Sequence, residues 1–320
     1  MSKRPQMFAR VDQRPVNLGN TVVLDIPNSH ILGAIEIALH LTLTTSSGTV
    51  TVADSALGAI PVIKRIQLRL DGSTIPLSVS GEFLDYWSHV DRPGSERLAT
   101  SGTASGSVWD AVLRWEVAQS ESNLTGAILL RNYGSVQLEI EFNGLASLGS
   151  GTGLAVAGNV EVWAELYDET VPIAFDNSLM HTLTEHFVAV EQTGDKIIDI
   201  PRGRGLERML VIPENDGAYV DGLVTAWTWR NGQGFEPYFY TDYLLRARAR
   251  RLYGGDDTPV TGLRVFDFRR AGNRDVIPLG DPAAAPYPQM VATIASGASL
   301  SNARLHIVRE ELENVTTPAA

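Results

Sequence analysis

The chain has 320 residues, 44% of them hydrophobic, with 29 Gly, 16 Pro, no Cys and a formal net charge of −11. That length exceeds what a single hydrophobic core supports, so two domains are expected. The lack of cysteine excludes disulfides, thiolate catalysis and cysteine-held metals, and the acidic balance excludes a whole surface built to neutralise nucleic-acid phosphates.

Residues 1–20, MSKRPQMFARVDQRPVNLGN, are locally basic, with Lys3, Arg4, Arg10 and Arg14 against Asp12. They lack the apolar core of a signal peptide, and no later apolar run reaches the roughly 20 residues of a membrane span. A cytoplasmic site of synthesis is therefore expected. The segment reads either as a solvated tail or as a basic arm that touches lipid headgroups or nucleic acid. Pro5 and Pro15 disfavour a continuous helix and predict an extended arm.

Next comes VVLDIP, Val22 to Pro27, an opening strand that proline ends. RIQLRL alternates apolar and polar residues up to Leu70 and leads into LDGSTIPLSVSGEFL. Asp71-Gly72 supplies the positive φ of a tight hairpin turn, and Ser80 has the hydroxyl of a helix N-cap ahead of Phe83, Leu84 and Trp87 at helical spacing. From Asp91 to Thr125 a Gly/Ser-interrupted stretch reads as a surface insertion whose Trp109–Val117 centre has no assigned secondary structure. VQLEIEF from Val136 and VEVWAEL from Val160 are again alternating strands, with one face toward a core. VPIAFDNSLMHTLT, Val171 to Thr184, is the expected boundary.

Beyond that boundary the same order recurs. KIIDIP, Lys196 to Pro201, matches VVLDIP. WRNGQGFEPYFYTDYLL, Trp229 to Leu245, matches the hairpin and cap, with Asn231-Gly232 as the turn and Thr241 as the cap. NARLHIVREEL, from Asn302, matches NVEVWAELYDE, from Asn159, as a closing strand. A weaker pairing sets VQLEIEF against LRVFDF at Leu263. Retained order with drifting spacing is what a duplication gives when strands persist and loops change length. Each half holds about eight short antiparallel strands, enough for a two-sheet sandwich of the jelly-roll kind. The expected fold is all-β, two tandem jelly-roll β-sandwiches (a double jelly roll) with short helices in the loops. The expected divisions are an arm at 1–20, a first jelly roll at 21–172, a linker at 173–185, a second jelly roll at 186–315 and a tail at 316–320.

Chemistry-bearing patterns are sparse. His181 and His186, with Glu185 between them, leave a zinc ligand set incomplete, and no His-X-His occurs. Asp256-Asp257 read as a solvated turn before a calcium site, and no nucleophile elbow or phosphate-binding loop is present. No catalytic residue, metal or cofactor is expected. Arg246 and Arg250 share a helix face at i, i+4 and suit either the helix dipole or carboxylates of a neighbouring subunit. Trp227 and Trp229 point to one side of a strand and read as core before a sugar platform.

On its duplicated strand–turn–strand–helix units (LDGSTIPLSVSGEFL, WRNGQGFEPYFYTDYLL) and its paired DIP strands, the chain resembles the double jelly-roll major capsid proteins. The likeness is to those of tailless icosahedral bacteriophages with an internal membrane, the corticovirus-like and related phages, and runs from Val22 to about Val315. It implies a homotrimer of pseudo-hexagonal outline in a capsid lattice, with neighbouring capsid and penton proteins as partners and a place in the virion. It also implies an N-terminal arm on the inside, where Lys3, Arg4, Arg10 and Arg14 meet membrane lipid or genome without sequence specificity. No insertion is long enough for a tall tower, so outward decoration is expected to be low, with the Asp91–Thr125 stretch as its source. The competing reading is a carbohydrate-binding or carbohydrate-active double β-sandwich, similar to the bilobed peptide-N-glycosidases, which needs a cleft of aromatics and carboxylates.

Overall fold

A computed structural model of the chain describes residues 6–53, 57–91, 101–119, 123–168, 175, 178–200, 204–231, 238–253, 261–268, 277–278 and 288–314. The chain forms two compact units, the first reaching Thr182 and the second running from Leu183 to Asn314.

The strands of the first unit are β1 (Gln6–Pro15), β2 (Thr21–Asp25), β3 (Ile31–Thr44), β4 (Ser47–Val52), β5 (Ile63–Leu70), β6 (Thr74–Val79), β7 (Ser107–Glu116), β8 (Ile128–Leu129), β9 (Val136–Phe142), β10 (Gly149–Thr152) and β11 (Ala155–Tyr167). Helix α1 (Gly81–Asp91) lies between β6 and β7. One sheet has the order β1-β11-β3-β7, a second includes β2-β9-β5-β6, and β4 pairs with β10 in a separate ribbon. Each neighbour pair in these two orders is antiparallel. Eight strands dealt between two sheets in this order make a jelly roll.

Period-two patterning builds its core. From β3, Ile35, Ile37, Leu39 and Leu41 are buried, as are Trp109, Ala111, Leu113 and Trp115 of β7. Leu138 and Ile140 of β9 and Ile66 and Leu68 of β5 supply buried side chains from the other sheet. Each large aliphatic side chain withdrawn from water contributes about 1.5–3 kcal/mol.

Strands β12 (Leu179–Ala189), β13 (Gly194–Asp199), β14 (Arg204–Asn215), β15 (Ala218–Tyr219), β16 (Val224–Asn231), β17 (Tyr238–Thr241), β18 (Arg264–Asp267), β19 (Ile277–Pro278), β20 (Pro288–Ile294) and β21 (Arg304–Asn314) follow, with helix α2 (Asp242–Tyr253) after β17. Here β12, β21 and β14 are consecutive neighbours and β18 also pairs with β14, while the second sheet runs β13-β20-β16-β17. Strand for strand, this is the order of the first unit. The counterparts of β1, β2, β3, β5, β6, β7, β9 and β11 are β12, β13, β14, β16, β17, β18, β20 and β21. Trp227, Trp229, Met209, Val211, Phe266, Met290, Leu305 and Ile307 belong to one buried cluster in this unit.

Four sequence expectations change. The arm placed at 1–20 is strand from Gln6 onward: β1 pairs with β11 from Gln6↔Tyr167 to Pro15↔Asn159, with a register shift between Arg10 and Asp12. None of its described side chains is fully buried, so an edge strand with a bulge shows no apolar alternation for a sequence reading to find. The Trp109–Val117 centre of the supposed insertion is largely β7, a core strand whose tryptophans face inward. LRVFDF contains β18, the counterpart of β7, so VQLEIEF corresponds instead to β20, PQMVATI. The segment read as a linker at 173–185 is strand from Leu179.

Candidate functional site: the repeated hairpin–helix units and their surfaces

With no catalytic constellation in the sequence, the elements of interest are the two hairpins that run into helices and the surfaces they carry. In the first unit Asp71 (φ 49°) and Gly72 (φ 71°) both take positive φ, as a type I′ hairpin turn demands. The amide of Ser73 donates to Leu70 O at 3.3 Å. The Asp71 carboxylate accepts the Ser135 amide at 2.9 Å, tying this turn to the start of β9. Ser80 Oγ accepts the Phe83 amide at 3.3 Å, which caps α1. At the first helical position stands Gly81, where a Cβ would lie 2.7 Å from the Cβ of Ile63. Glycine there lets the helix begin against β5. Phe83, Leu84, Trp87 and Val90 are buried, and Ser88 Oγ sits 2.6 Å from Arg114 O of β7.

In the second unit Thr241 Oγ1 accepts the Leu244 amide at 3.4 Å, so this hydroxyl caps α2 from the same place in the repeat. Asn231 is the last residue of β16, and Gly232 lies outside the described residues. The first helical position is now Asp242, almost wholly buried. It accepts Trp227 Nε1–H at 3.0 Å and both Nε–H and Nη2–H of the buried Arg264 at 2.7 Å. Arg264 Nη2 also donates to Asp221 O at 2.9 Å. The two halves thus fix one helix start by different means, close backbone packing in one and a bidentate buried ion pair in the other. The sequence reading missed Asp221, Asp242 and Arg264; an Asp directly after a cap Thr, with an Arg inside the apolar LRVFDF, is the signal it passed over.

Arg246 reaches Asp221 at 3.2 Å and Asp242 at 3.0 Å. Both partners lie within its own unit, and the side chain keeps 28% of its surface exposed. The side chain of Arg250 lies outside the described ones, as do Lys3, Arg4, Asp256 and Asp257. Arg10 and Arg14 are half-exposed on β1, beside Glu161 and Asp12 respectively. Trp227 and Trp229 are core residues, packed on Phe266 and Phe268, and the cavity beside them measures about 10 Å³, room for one water-sized group. They offer no sugar platform. His181 Nδ1 sits 2.7 Å from Val117 O, and His186, five residues on, faces the other side of the strand, so these two rings do not converge on one ion. Burial, aided by Arg309 and opposed by Glu185, pushes His186 down to about 4.

The DIP strands carry a matched contact that sequence comparison did not reveal. Asp25 of β2 faces Gln137 of β9 and accepts its Nε2–H at 3.0 Å, and Asp199 of β13 faces Gln289 of β20 and accepts its Nε2–H at 3.1 Å. Both aspartates stand on edge strands beside an exposed β-branched residue, Val23 or Ile197.

No protein-family model matches this chain, and no curated protein matches its sequence. Solved structures do. The STIV MCP aligns over 98% of this chain and 97% of its own, with a TM-score of 0.77 and 14% identity. The major capsid protein of bacteriophage PM2 aligns over 98% of this chain and 100% of its own, at a TM-score of 0.60 and 12% identity. A chain of the PBCV-1 virus capsid aligns over 98% and 96%, at 0.63 and 11%. The chain has the all-β double jelly-roll fold of these viral major capsid proteins.

Proposed function

We propose that this chain is a major capsid subunit that forms pseudo-hexagonal trimers and tiles an icosahedral shell over an internal membrane. The observation that carries this reading is the strand-by-strand duplication. Two sandwiches with one topology, one matched Asp–Gln contact and one capped helix each give three chains six similar corners, the outline that tiles a hexagonal lattice. The near-equal lengths of this chain and the capsid proteins it aligns with support it. Its partners are copies of itself, then neighbouring capsid and penton proteins, and its place is the virion. Lys3 and Arg4, ahead of β1, are the basic residues left to meet lipid or genome on the inside, each contributing only about 1 kcal/mol at an anionic membrane. Many copies in one shell add such contacts by multivalency. The role requires no catalytic group.

Sedimentation of the expressed chain and mass spectrometry of purified particles test the reading. Trimers in solution and a dominant band in particles are expected. A chain that stays monomeric at high concentration and is absent from particles overturns it, and strong, specific binding on a glycan array would promote the carbohydrate reading in its place.

A further inference from the structure

The repeat puts the same helix in two different environments. At the third helical position, whose amide donates to the cap hydroxyl in both units, Phe83 of α1 is 1% exposed whereas Leu244 of α2 is 46% exposed. Beside Leu244, Tyr243 is 75% exposed, and Phe239 on the preceding strand β17 is 61% exposed. Ala247, one turn on from Tyr243, is exposed as well. Tyr243, Leu244 and Ala247 share one side of the helix, and Phe239 stands two residues ahead of the cap Thr241, so exposed apolar side chains gather at the start of α2. Along the same helix the sequence also sets Arg248, Arg250 and Arg251, while its one acid, Asp242, is taken up by Trp227, Arg246 and Arg264.

From this we infer that Phe239, Tyr243 and Leu244 are the docking surface for a second copy of this chain, which rests on the capsid reading and names the residues that join its subunits. Two observations select that occupant. A helix position that is buried in one half of a duplicated chain and exposed in the other, as Phe83 and Leu244 are, is what a ring of such chains leaves for its neighbour to cover. The charge agrees: a helix with an arginine excess complements an acidic surface, and this chain carries a net −11. With the first-unit counterpart of Leu244, Phe83, buried, the contact pairs the second unit with a different surface of the neighbour and is head-to-tail, the kind that closes a ring of three.

The chain contains no cysteine, so Tyr243→Cys introduces a unique thiol. In assembled trimers of this variant the thiol's reaction with a maleimide should be at least tenfold slower than in chains diluted to monomers. Leu244→Glu should weaken association at least tenfold by sedimentation equilibrium while circular dichroism stays native, because Glu at the third helical position favours a capped helix. Val108→Glu, at another exposed apolar residue, should leave association unchanged. Trimers of Tyr243→Cys whose thiol labels at the monomer rate, together with a Leu244→Glu variant that associates normally, overturn this inference and leave the capsid reading standing. A wild-type chain that never associates removes both. Protection of the introduced thiol only after another virion protein is added assigns the patch to that protein and overturns the inference.

Discussion

Asp242 holds three groups at once: the indole N–H of Trp227, the guanidinium of Arg264 and, one helical turn on, Arg246. A buried ion pair adds little net stability over a well-packed apolar pair, but removing one partner strands the other charge. Asp242→Ala should therefore cost about 3–5 kcal/mol by urea unfolding, and Asp242→Ala combined with Arg264→Met should recover part of it. At the caps, Ser80→Ala and Thr241→Ala should each cost about 1 kcal/mol by the same measurement, since each leaves one first-turn amide without its acceptor. His186 links stability to pH. Above its ordinary value of 6.5 the ring is neutral whether the chain is folded or not; between that value and about 4 the unfolded chain binds a proton that the folded chain refuses. Stability should thus fall by roughly 3 kcal/mol as pH drops through this window. His186→Gln should flatten that segment of a pH–stability profile, and an unchanged slope would contradict the assignment.

At the scale of elements, β1 and β7 are full members of the β1-β11-β3-β7 sheet, so an N-terminal truncation has two regimes. Removing residues 1–5 deletes Lys3 and Arg4 and spares every described strand. Removing residues 1–15 strips a ten-residue strand from β11 and the stacking of Phe8 on Trp163, whose ring centres lie 5.3 Å apart. The shorter truncation should leave the melting temperature within about 1 °C of wild type, while the longer one should lower it by about 5 °C or more, as expected for the loss of a few kcal/mol from a chain this size. Only the shorter truncation isolates the proposed lipid or genome contact, by its effect on particle yield.

For the whole molecule, a chain without cysteine has no disulfide to hold it, so its stability rests on packing and on whatever the proposed association adds. Binding that favours the folded state makes stability depend on concentration. The proposed trimer should therefore raise the melting temperature by several degrees between about 1 and about 100 µM protein, measured by calorimetry. A melting temperature independent of concentration over that range would mean that association contributes nothing to the fold.

The duplication, the all-β class, the Asp71-Gly72 turn and the two cap hydroxyls were legible in the amino-acid sequence because each rests on a short-range preference. Period-two alternation marks a half-buried strand, positive φ selects glycine, and an unpaired first-turn amide selects a hydroxyl just ahead of it. Tertiary structure decided what depends on partners far along the chain. β1 carries no inward apolar row because it is an edge, so only its pairing with β11 makes it a strand of the core sheet. β7 hid between Gly and Ser-rich flanks although Trp109, Ala111, Leu113 and Trp115 alternate through it, and β3 fixes its place. The Asp25–Gln137 and Asp199–Gln289 contacts join residues 112 and 90 positions apart, and no local window records such a pairing. Nor does any window show that Phe83 is buried and Leu244 bare: the same position of the same repeat acquires its role from what surrounds it in space.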